Sequence, residues 1–496
     1  MIVEVTLRNR RAYFTGKYPR ITLQEFFCYR PVGYQFMPQF KRFFWDSVTG
    51  QKKRVWDGYL TLLKHKKVGT GLFLGLKEKI EQETSIRFRV DDRRRQVVFK
   101  KINMDGARPY QIECFEKMKE ALSGGIVLGA TGTGKTRIAG MFFESLWGSA
   151  VFVVDELTLL DQSRKALSEV VGEEVGKIGD QEFDPKRITV ATIQTLHRYR
   201  NSEKFQQWVE TLEVIVIDEL HLQLNRRNFD VVADLLPKRV FGLTATLEMK
   251  KEHVWKRALN LCGPVIFDYG LEKGTQEGYL TPGIVISLEV GQRDDVNHSY
   301  MDGYRSLIVN SSKRNRLVED IVRESHKRGH SIIVLVERVK HLHILSELLE
   351  DVSHRLVYGA KSSEYRTRSK KKFDQGKIRL IIANKVFQKG VDIKAVDVIV
   401  DGAGLKSKNN AIQKYGRGVR LCEGKEGLLY FDISDRPPEK GVYNRFSRAT
   451  TSRLKAFKSR KIRVEILEES TECDPEDILV WAEKRLKKEI RRRNGE

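Results

Sequence analysis

Short apolar runs alternate with helical stretches through the middle of the chain, which is the pattern of a parallel α/β sheet. In residues 106–263 the runs are Ile126–Ala130, Ala150–Val154, Ile188–Ala191, Val214–Ile217 and Val240–Leu243. In residues 284–435 they are Ser331–Val336, Arg355–Tyr358, Ile378–Ala383, Val396–Val400 and Leu428–Phe431. The pattern predicts an α/β fold with two tandem parallel-sheet domains.

The flanking segments have other patterns. Alternation at Ile2–Leu7 and Tyr59–Leu63 predicts strands, and Leu72–Ile80 predicts a helix. Residues 1–105 are therefore predicted to form a small α+β domain. Residues 264–283 are richer in Gly and Pro and are interpreted as a linker. Residues 436–496 are interpreted as a basic helical extension, because Asp474–Asp477 supplies an N-cap, a proline at the first helical position and acids in the first turn.

Positive charge is concentrated in the predicted first domain. The 496-residue chain has a formal net charge of +24. Residues 1–105 carry 23 Lys and Arg against 10 Asp and Glu, which places +13 there. Aromatic residues are interleaved with this charge. Cations meet phosphates and rings meet bases, so we expect this domain to bind nucleic acid. A basic protein charged only for solubility is the alternative.

The remaining composition narrows the setting. The five cysteines form no C-x-x-C pair, which argues against a zinc site and favours a reducing compartment. The first residues lack a secretory apolar core. No apolar run approaches the ~20 residues of a membrane span. We expect a cytoplasmic protein with no membrane partner, in the host cytoplasm if the gene is carried by a phage.

Residues Gly129–Thr136 fit the phosphate-loop pattern G-x-x-x-x-G-K-[ST] between a predicted strand and a predicted helix. Lys135 is expected to reach the β- and γ-phosphates of a nucleoside triphosphate, and the Thr136 hydroxyl to hold Mg²⁺. The other residues expected to surround the phosphates are Thr131, Gly132, Thr133 and Gly134. The cofactors predicted are ATP and Mg²⁺.

A second signal follows the apolar run Val214–Ile217, which ends in Asp218 and Glu219. At the carboxyl edge of a parallel sheet these acids should lie beside the phosphate loop. We expect Asp218 to hold Mg²⁺, directly or through water, and Glu219 to orient or deprotonate the attacking water.

The phosphate loop together with the Asp-Glu-x-His sequence ending at His221 resembles superfamily 2 helicases of the DExH type. This resemblance implies two RecA-like domains that use ATP to move on nucleic acid. Upstream of the loop, Arg108, Tyr110 and Gln111 are similar to the Q motif, in which Gln111 would read the adenine edge.

Further motifs of the first domain follow the same resemblance. Val153–Gln162 is similar to motif Ia, although Asp155 stands where the family usually has proline. Thr192 and Gln194 lie in a sequence similar to the next DNA-contacting motif. Thr244 and Thr246 match motif III, which couples the acids to the strand site.

In the second domain, the Gly-Val-Asp sequence ending at Asp392 matches the core of motif V, with Asn384 where Thr or Ser is usual. Gln413, Arg417 and Arg420 match motif VI. The resemblance implies that Arg417 and Arg420 contact the γ-phosphate as it develops charge.

The predicted first domain resembles that of the phage UvsW-type branch-migration helicases. The similar sequences are Gly33–Pro38, Val55–Leu63 and Gly71–Phe73. This family implies a monomeric, ATP-driven DNA helicase or translocase that remodels Holliday junctions, stalled forks, R-loops and D-loops in recombination, repair and replication. Three alternatives stay open: an RNA helicase, the motor of a restriction enzyme, and an NTP-gated scaffold that binds nucleic acid without moving.

Overall fold

The computed structural model describes residues 1–235, 237–247, 251–291, 299–384, 395–436, 445–468 and 472–494. The chain divides into two compact units. The first consists of Met1–Gly129 with Gly134–Asp268, and the second of Ala130–Thr133 with Tyr269–Glu496. Within the described ranges, no helix has both the length and the apolar character needed to cross a bilayer.

The N-terminal part of the first unit is a four-stranded sheet with a helix packed on it. Its elements are β1 (Ile2–Leu7), β2 (Arg11–Thr15), α1 (Arg20–Phe26), β3 (Cys28–Tyr29), a 3-10 turn (Tyr34–Phe36), α2 (Pro38–Lys41), β4 (Phe43–Asp46), β5 (Gln51–Arg54), β6 (Leu60–Thr61), β7 (Lys67–Gly69), α3 (Thr70–Glu83) and β8 (Arg87–Asp92). The sheet order is β7-β2-β1-β8, with β1 parallel to β8 and antiparallel to β2. The expected strand at 2–7 and helix at 72–80 are confirmed, whereas only two residues of 59–63 form a strand.

The rest of the first unit is an α/β fold. Its elements are α4 (Pro109–Glu120), β9 (Gly124–Gly129), α5 (Lys135–Glu144), β10 (Ser149–Val154), α6 (Leu157–Val171), β11 (Gly176–Gly179), β12 (Glu182–Asp184), β13 (Ile188–Thr192), α7 (Ile193–Tyr199), α8 (Glu203–Thr211), β14 (Leu212–Ile217), α9 (Leu220–Gln223), α10 (Arg226–Asp234), β15 (Arg239–Thr244), α11 (Glu252–Leu261) and β16 (Val265–Tyr269). The sheet order is β12-β11-β13-β10-β14-β15-β9-β16. All five predicted apolar runs are strands. They are apolar on both faces because helices cover the sheet on both sides.

The second α/β fold begins inside the segment interpreted as a linker. Its elements are α12 (Leu271–Gln276), β17 (Gly283–Gly291), α13 (Tyr300–Tyr304), a π-helical turn (Arg305–Val309), α14 (Ser312–Lys327), β18 (Ile332–Leu335), α15 (Val339–Leu348), β19 (His354–Val357), α16 (Ser363–Asp374), β20 (Leu380–Ala383), β21 (Val398–Asp401), α17 (Lys408–Gly418), β22 (Leu428–Arg436), α18 (Arg445–Ser459), β23 (Arg463–Leu467) and α19 (Pro475–Asn494). The sheet order is β19-β20-β18-β21-β22-β17-β23. Again the five predicted runs are strands. The expected linker is more regular than predicted, because it contains α12 and strand β16 of the first sheet.

The C-terminal extension is helical, as expected, and it also completes the second fold. Strand β23 pairs in parallel with β17 at the sheet edge. Helix α19 places Ile478, Leu479 and Ala482 in the same buried cluster as Ile284 and Ile286 of β17. The extension is therefore part of the second unit's core.

The N-terminal sheet packs directly on helix α11. The buried Arg257 donates from Nε and Nη2 to the Tyr29 hydroxyl at 2.8 and 2.6 Å. The Gly69 amide donates to the Asn260 side chain at 2.7 Å. At Gly71 the backbones are so close that a Cβ would lie 2.7 Å from the carbonyl oxygen of Leu259. Residues 1–92 and the first α/β fold thus share one apolar core.

This contact predicts that Gly71→Ala destabilises the protein by about 1–3 kcal/mol, because the added methyl group overlaps backbone that cannot move aside. Gly75→Ala is the matched control on the same helix. There a Cβ meets only a Leu259 methyl group, at 3.3 Å. Chemical denaturation should show a lower unfolding midpoint for Gly71→Ala alone. Equal midpoints for the two variants would contradict the close packing of α3 on α11.

Candidate active site

The phosphate loop leaves β9 at Gly129 and enters α5 at Lys135. Gly132 and Gly134 have φ angles of +90° and +73°, in the left-handed region that glycine enters with the least strain. The Lys135 ammonium donates to the Gly129 carbonyl at 3.1 Å, so its side chain turns back toward the end of the strand. Thr136 is the second residue of α5 and is half-buried. The backbone therefore has the strand, loop and helix form expected of an anion site.

The Q-motif glutamine lies beside this loop. The Arg108 amide donates to Gln111 Oε1 at 3.0 Å, which orients the glutamine at the start of α4. A Cβ at Gly134 would lie 2.5 Å from Gln111 Nε2, so only glycine fits there. Arg108 also donates to the Tyr110 hydroxyl at 3.1 Å. All three predicted Q-motif residues thus stand at one end of α4, with Gln111 against the loop.

The first acid after β14 is buried at the carboxyl edge of the sheet. The Asp218 amide donates to the Val153 carbonyl of the neighbouring strand at 2.9 Å. Burial and the adjacent Glu219 raise the pKa of Asp218 to about 6, while the nearby Lys135 ammonium opposes this shift. The sheet therefore brings Asp218 and Lys135 into one electrostatic environment, as the order of the strands predicts.

The second acid is tied to the threonine turn after β15. Glu219 has a φ of +47°, an uncommon angle for a residue other than glycine. Its Oε2 lies 3.3 Å from Nδ1 of His221, which lies 2.9 Å from the Thr244 hydroxyl. The Thr246 amide donates to the same hydroxyl at 3.1 Å. One chain of polar contacts therefore joins Glu219 to Thr244 and Thr246.

The donor set fits Mg²⁺ bound together with a nucleotide. In the described part of the chain, no group of three or more His, Cys, Asp or Glu side chains is arranged to hold a metal. Mg²⁺ in phosphate-transfer sites is usually held by one or two protein oxygens, substrate phosphates and waters. Asp218 and Thr136 are such oxygen donors, so these residues would hold the ion that neutralises phosphate charge.

The two predicted strand-contacting residues after β13 differ in their surroundings. The Thr192 hydroxyl is buried and caps α7, accepting from the Thr195 amide at 3.4 Å. Gln194 is exposed, and its side-chain amide donates to the Asp155 carbonyl at 2.7 Å. Asp155 also accepts from Gln223 at 3.3 Å. The departure from proline at 155 thus supplies a carboxylate that holds α9.

Motif VI lies at the end of helix α17 in the second unit. The Ser407 hydroxyl caps the helix by accepting from the Asn410 amide at 3.3 Å. Gln413 and Arg417 are both half-buried on this helix. Asn384 follows β20 directly, and its amide donates to the Val357 carbonyl at 3.2 Å. Asp392 lies outside the described residues.

A buried ion pair, which the sequence analysis missed, locks α17 onto the sheet. Lys414 donates to both carboxylate oxygens of Asp401 at 2.7 and 2.8 Å, and the Tyr430 hydroxyl donates to Asp401 at 2.7 Å. Burial alone would raise the pKa of Asp401, but Lys414 holds it below its usual value. The signal available was an apolar strand ending in an acid, the same pattern that marked Asp218.

Arg420 lies two residues beyond α17, where its backbone is held on both sides. It forms an antiparallel bridge with Leu280, and its carbonyl accepts from the Thr281 hydroxyl at 3.2 Å. Burial of the guanidinium lowers the pKa of Arg420 to about 10, so it remains charged at neutral pH. The position of this cation is therefore fixed by backbone contacts.

The second unit includes four residues of the phosphate loop, and these lie against motif VI. The Ala130 amide donates to the Tyr269 carbonyl at 3.0 Å. A Cβ at Gly132 would lie 3.0 Å from Cγ of Arg420, and one at Gly416 would lie 2.8 Å from Cβ of Thr131. Within this unit, Thr131, Gly132 and Arg420 are therefore brought together.

Two family descriptions match this chain. Residues 105–249 match the res subunit of type III restriction enzymes, and residues 312–422 match the helicase conserved C-terminal domain. The first match contains the phosphate loop and both acids, and the second contains motif VI.

Curated relatives are similar at low identity. The chain is 24% identical over 376 residues to Rad25 of Halobacterium salinarum, named as a DNA 3'-5' helicase; this covers 72% of the chain but only 58% of Rad25. It is 21% identical to the ATP-dependent DNA helicase uvsW of Enterobacteria phage T4, covering 83% of this chain and 86% of the relative. It is 22% identical to the pre-mRNA-splicing ATP-dependent RNA helicase PRP28 of Lodderomyces elongisporus, covering 45% and 38%.

A solved structure shows the same fold. S. cerevisiae Dbp5 bound to RNA and ADP BeF3 matches with a TM-score of 0.53 at 16% identity, covering 77% of this chain and 99% of that one. The two parallel-sheet domains are therefore RecA-like helicase domains.

The buried pair under motif VI predicts that Lys414→Met destabilises the protein by about 3–5 kcal/mol, because the Asp401 charge stays buried without its partner. Lys370→Met is the control, since Lys370 pairs with Asp374 at 2.8 Å on the surface of α16. The control should change the free energy of unfolding by less than about 1 kcal/mol. Comparable denaturation midpoints would show that Lys414 does not anchor the helix.

Proposed function

We propose that this chain, a superfamily 2 helicase of the DExH type that resembles phage UvsW, couples ATP hydrolysis to the remodelling of branched DNA. Its substrates would be Holliday junctions, stalled forks, R-loops and D-loops. The single observation that supports a motor most strongly is the polar chain from Glu219 through His221 to Thr244. It links the acid that would act on water to the turn that would sense the nucleic-acid strand.

In this proposal the first domain binds the nucleotide. Gln111 recognises adenine, and Lys135 binds the β- and γ-phosphates. Thr136 and Asp218 hold Mg²⁺, whose charge stabilises the phosphates during transfer. Glu219 positions the water, which attacks the γ-phosphate in line.

The second domain supplies positive charge for the transition state. Arg417 and Arg420 stabilise the charge that develops on the γ-phosphate. The Lys414–Asp401 pair supports this role because it fixes the helix that carries Arg417. Hydrolysis then depends on residues from both family domains, which allows it to drive movement.

Nucleic acid is held mainly through its backbone. The basic N-terminal sheet grips duplex near the branch, and most contacts go to phosphates, so movement is largely independent of sequence. Alignment to the phage helicase over 83% of this chain supports DNA, because it extends beyond the two family matches.

An RNA helicase is the second candidate, since a curated relative is named as an RNA helicase. A panel of forks and four-way junctions made in DNA and in RNA, scored for ATP-dependent disassembly, separates the two. Disassembly of RNA duplexes without action on DNA junctions would overturn the proposed substrate.

Arg420→Ala should lower nucleic-acid-stimulated ATP hydrolysis by at least about a thousandfold while ATP binding persists, because only the transition state loses its cation. Lys135→Ala should lower both binding and hydrolysis. Arg448→Ala, an exposed arginine on α18, is the control and should leave the rate unchanged. Turnover near wild type for either Lys135→Ala or Arg420→Ala would refute the assigned roles.

Salt dependence tests the N-terminal grip. Deleting residues 1–105 would expose the shared core, so charge replacement is the cleaner test. Lys52→Gln with Arg95→Gln should flatten the log–log slope of junction affinity against salt by up to about 1.8, or about 0.9 for each lost phosphate contact. Lys117→Gln, an exposed lysine on α4, is the control. A slope identical to wild type would count against DNA binding by this surface.

A further inference from the structure

A short hairpin in the N-terminal part of the chain presents aromatic side chains to solvent. Strands β4 and β5 form it, and Phe43, Phe44 and Trp45 are 45%, 48% and 69% exposed. Other rings of the same region, such as Phe27 and Phe73, are fully buried. Consecutive exposed aromatic residues on a soluble protein indicate a binding surface.

The hairpin is a formed element. Its four cross-strand pairs are Phe43 with Arg54, Phe44 with Lys53, Trp45 with Lys52, and Asp46 with Gln51. Asp46 closes the turn, accepting from the Val48 amide at its side chain (3.0 Å) and from the Gly50 amide at its carbonyl (2.8 Å). The aromatic residues are therefore presented on a defined backbone.

Every exposed ring stands across the hairpin from a cation. Because successive side chains on a strand point to opposite faces, Phe43 and Trp45 share one face and Phe44 occupies the other. The Lys52 ammonium lies 5.2 Å from the Phe43 ring centroid, and the Arg54 guanidinium lies 4.6 Å from it. Both faces thus combine a flat ring with positive charge.

The hairpin stands on an aromatic base that connects it to the rest of the first unit. Phe40 packs edge-on against Tyr34, with ring centroids 4.9 Å apart. Arg54 donates to the Phe40 carbonyl at 2.7 Å. Gly58 has a φ of +90°, and a Cβ there would lie 2.5 Å from the Tyr34 ring. This explains the glycine of the Trp-Asp-Gly sequence, since a larger residue would displace the base.

The charge of this segment identifies the class of partner. Residues 30–59 contain six Lys and Arg and two Asp, a net charge of +4. A polyanion carrying flat rings satisfies both features at once: phosphates meet the cations, and bases stack on the aromatic side chains. An apolar protein partner would use the rings and leave the cations without a function.

We infer that the β4–β5 hairpin binds unpaired bases at the point where a duplex opens, with Trp45 stacked on the first exposed base and Phe44 facing the opposite strand. Arg54 and Lys52 bind the adjacent phosphates. This inference rests on the proposed function and extends it by naming the element that keeps the strands apart. Stacking is tolerant of sequence because every base has a flat face.

The full-length chain with Trp45→Ala, Trp45→Phe and Trp45→Leu tests this inference on a forked DNA with 2-aminopurine at the first pair of the junction. Three quantities are measured: the rate of fork separation with ATP, ATP hydrolysis stimulated by single-stranded DNA, and quenching of 2-aminopurine without ATP. Trp147→Ala is the matched control, because Trp147 is also 66% exposed and lies beside a cation, Lys100, at 4.4 Å.

Trp45→Ala should slow separation at least about tenfold and abolish the quenching, while ATP hydrolysis stays within about twofold of wild type. Trp45→Phe should retain both separation and quenching, and Trp45→Leu should behave as Trp45→Ala, because leucine is apolar but cannot stack. Trp147→Ala should match wild type in all three measurements. Since Trp45 is exposed, thermal unfolding should be unchanged in every variant.

Separation and quenching by Trp45→Ala at the wild-type level would overturn the inference. So would retention of both by Trp45→Leu, which would indicate an apolar contact with another surface instead of stacking. A wild-type chain that hydrolyses ATP but opens no fork would overturn the proposed function; loss of quenching in Trp45→Ala would then still support base binding by the hairpin.

Discussion

Burial of a carboxyl group beside a lysine ammonium is the interaction on which the first helicase domain depends. Asp218 ends a strand that is apolar on both faces, so its charge lies at the edge of a dry sheet, where its pKa rises to about 6. Such a group is costly to keep ionised without a cation. Lys135 provides one in the protein itself, and a nucleotide-bound Mg²⁺ would provide a stronger one. The cost of burial thus becomes affinity for the metal.

The second domain uses the same strand-ending acid for a different purpose. Asp401 also ends an apolar strand, but Lys414 and Tyr430 satisfy it completely. This carboxylate holds a helix in place and has no capacity left for a ligand. The two domains therefore share a topology in which one acid is kept for chemistry and the other for positioning, and the difference lies in what packs above the strand.

The N-terminal sheet and the first helicase domain behave as one folded unit because of the contacts at α11. Gly71 brings two backbones together, and Arg257 is buried against Tyr29. A surface carried by the N-terminal sheet, including the β4–β5 hairpin, therefore moves with the phosphate loop. Rigid attachment of this kind is what a motor needs if hydrolysis is to act on a junction.

The sequence by itself determined the strands that are buried on both faces, the phosphate loop and the acids that follow β14. Each of these depends on residues adjacent in the chain, so an apolar run or a spaced motif carries the whole signal. Q-motif and motif VI residues were also located by local pattern, and their assignment to ATP and DNA stays a prediction.

Only the tertiary structure decided the remainder. Strand β17 pairs with β22 and β23, far along the chain, so its neighbours could not be inferred from its own residues. The segment 264–283 was expected to be a linker from its composition, yet β16 completes the first sheet, because pairing with β9 outweighs local Gly and Pro content. The role of Asp401 and the exposure of Trp45 depend on distant packing, and burial is a property of the folded whole that no local sequence pattern encodes.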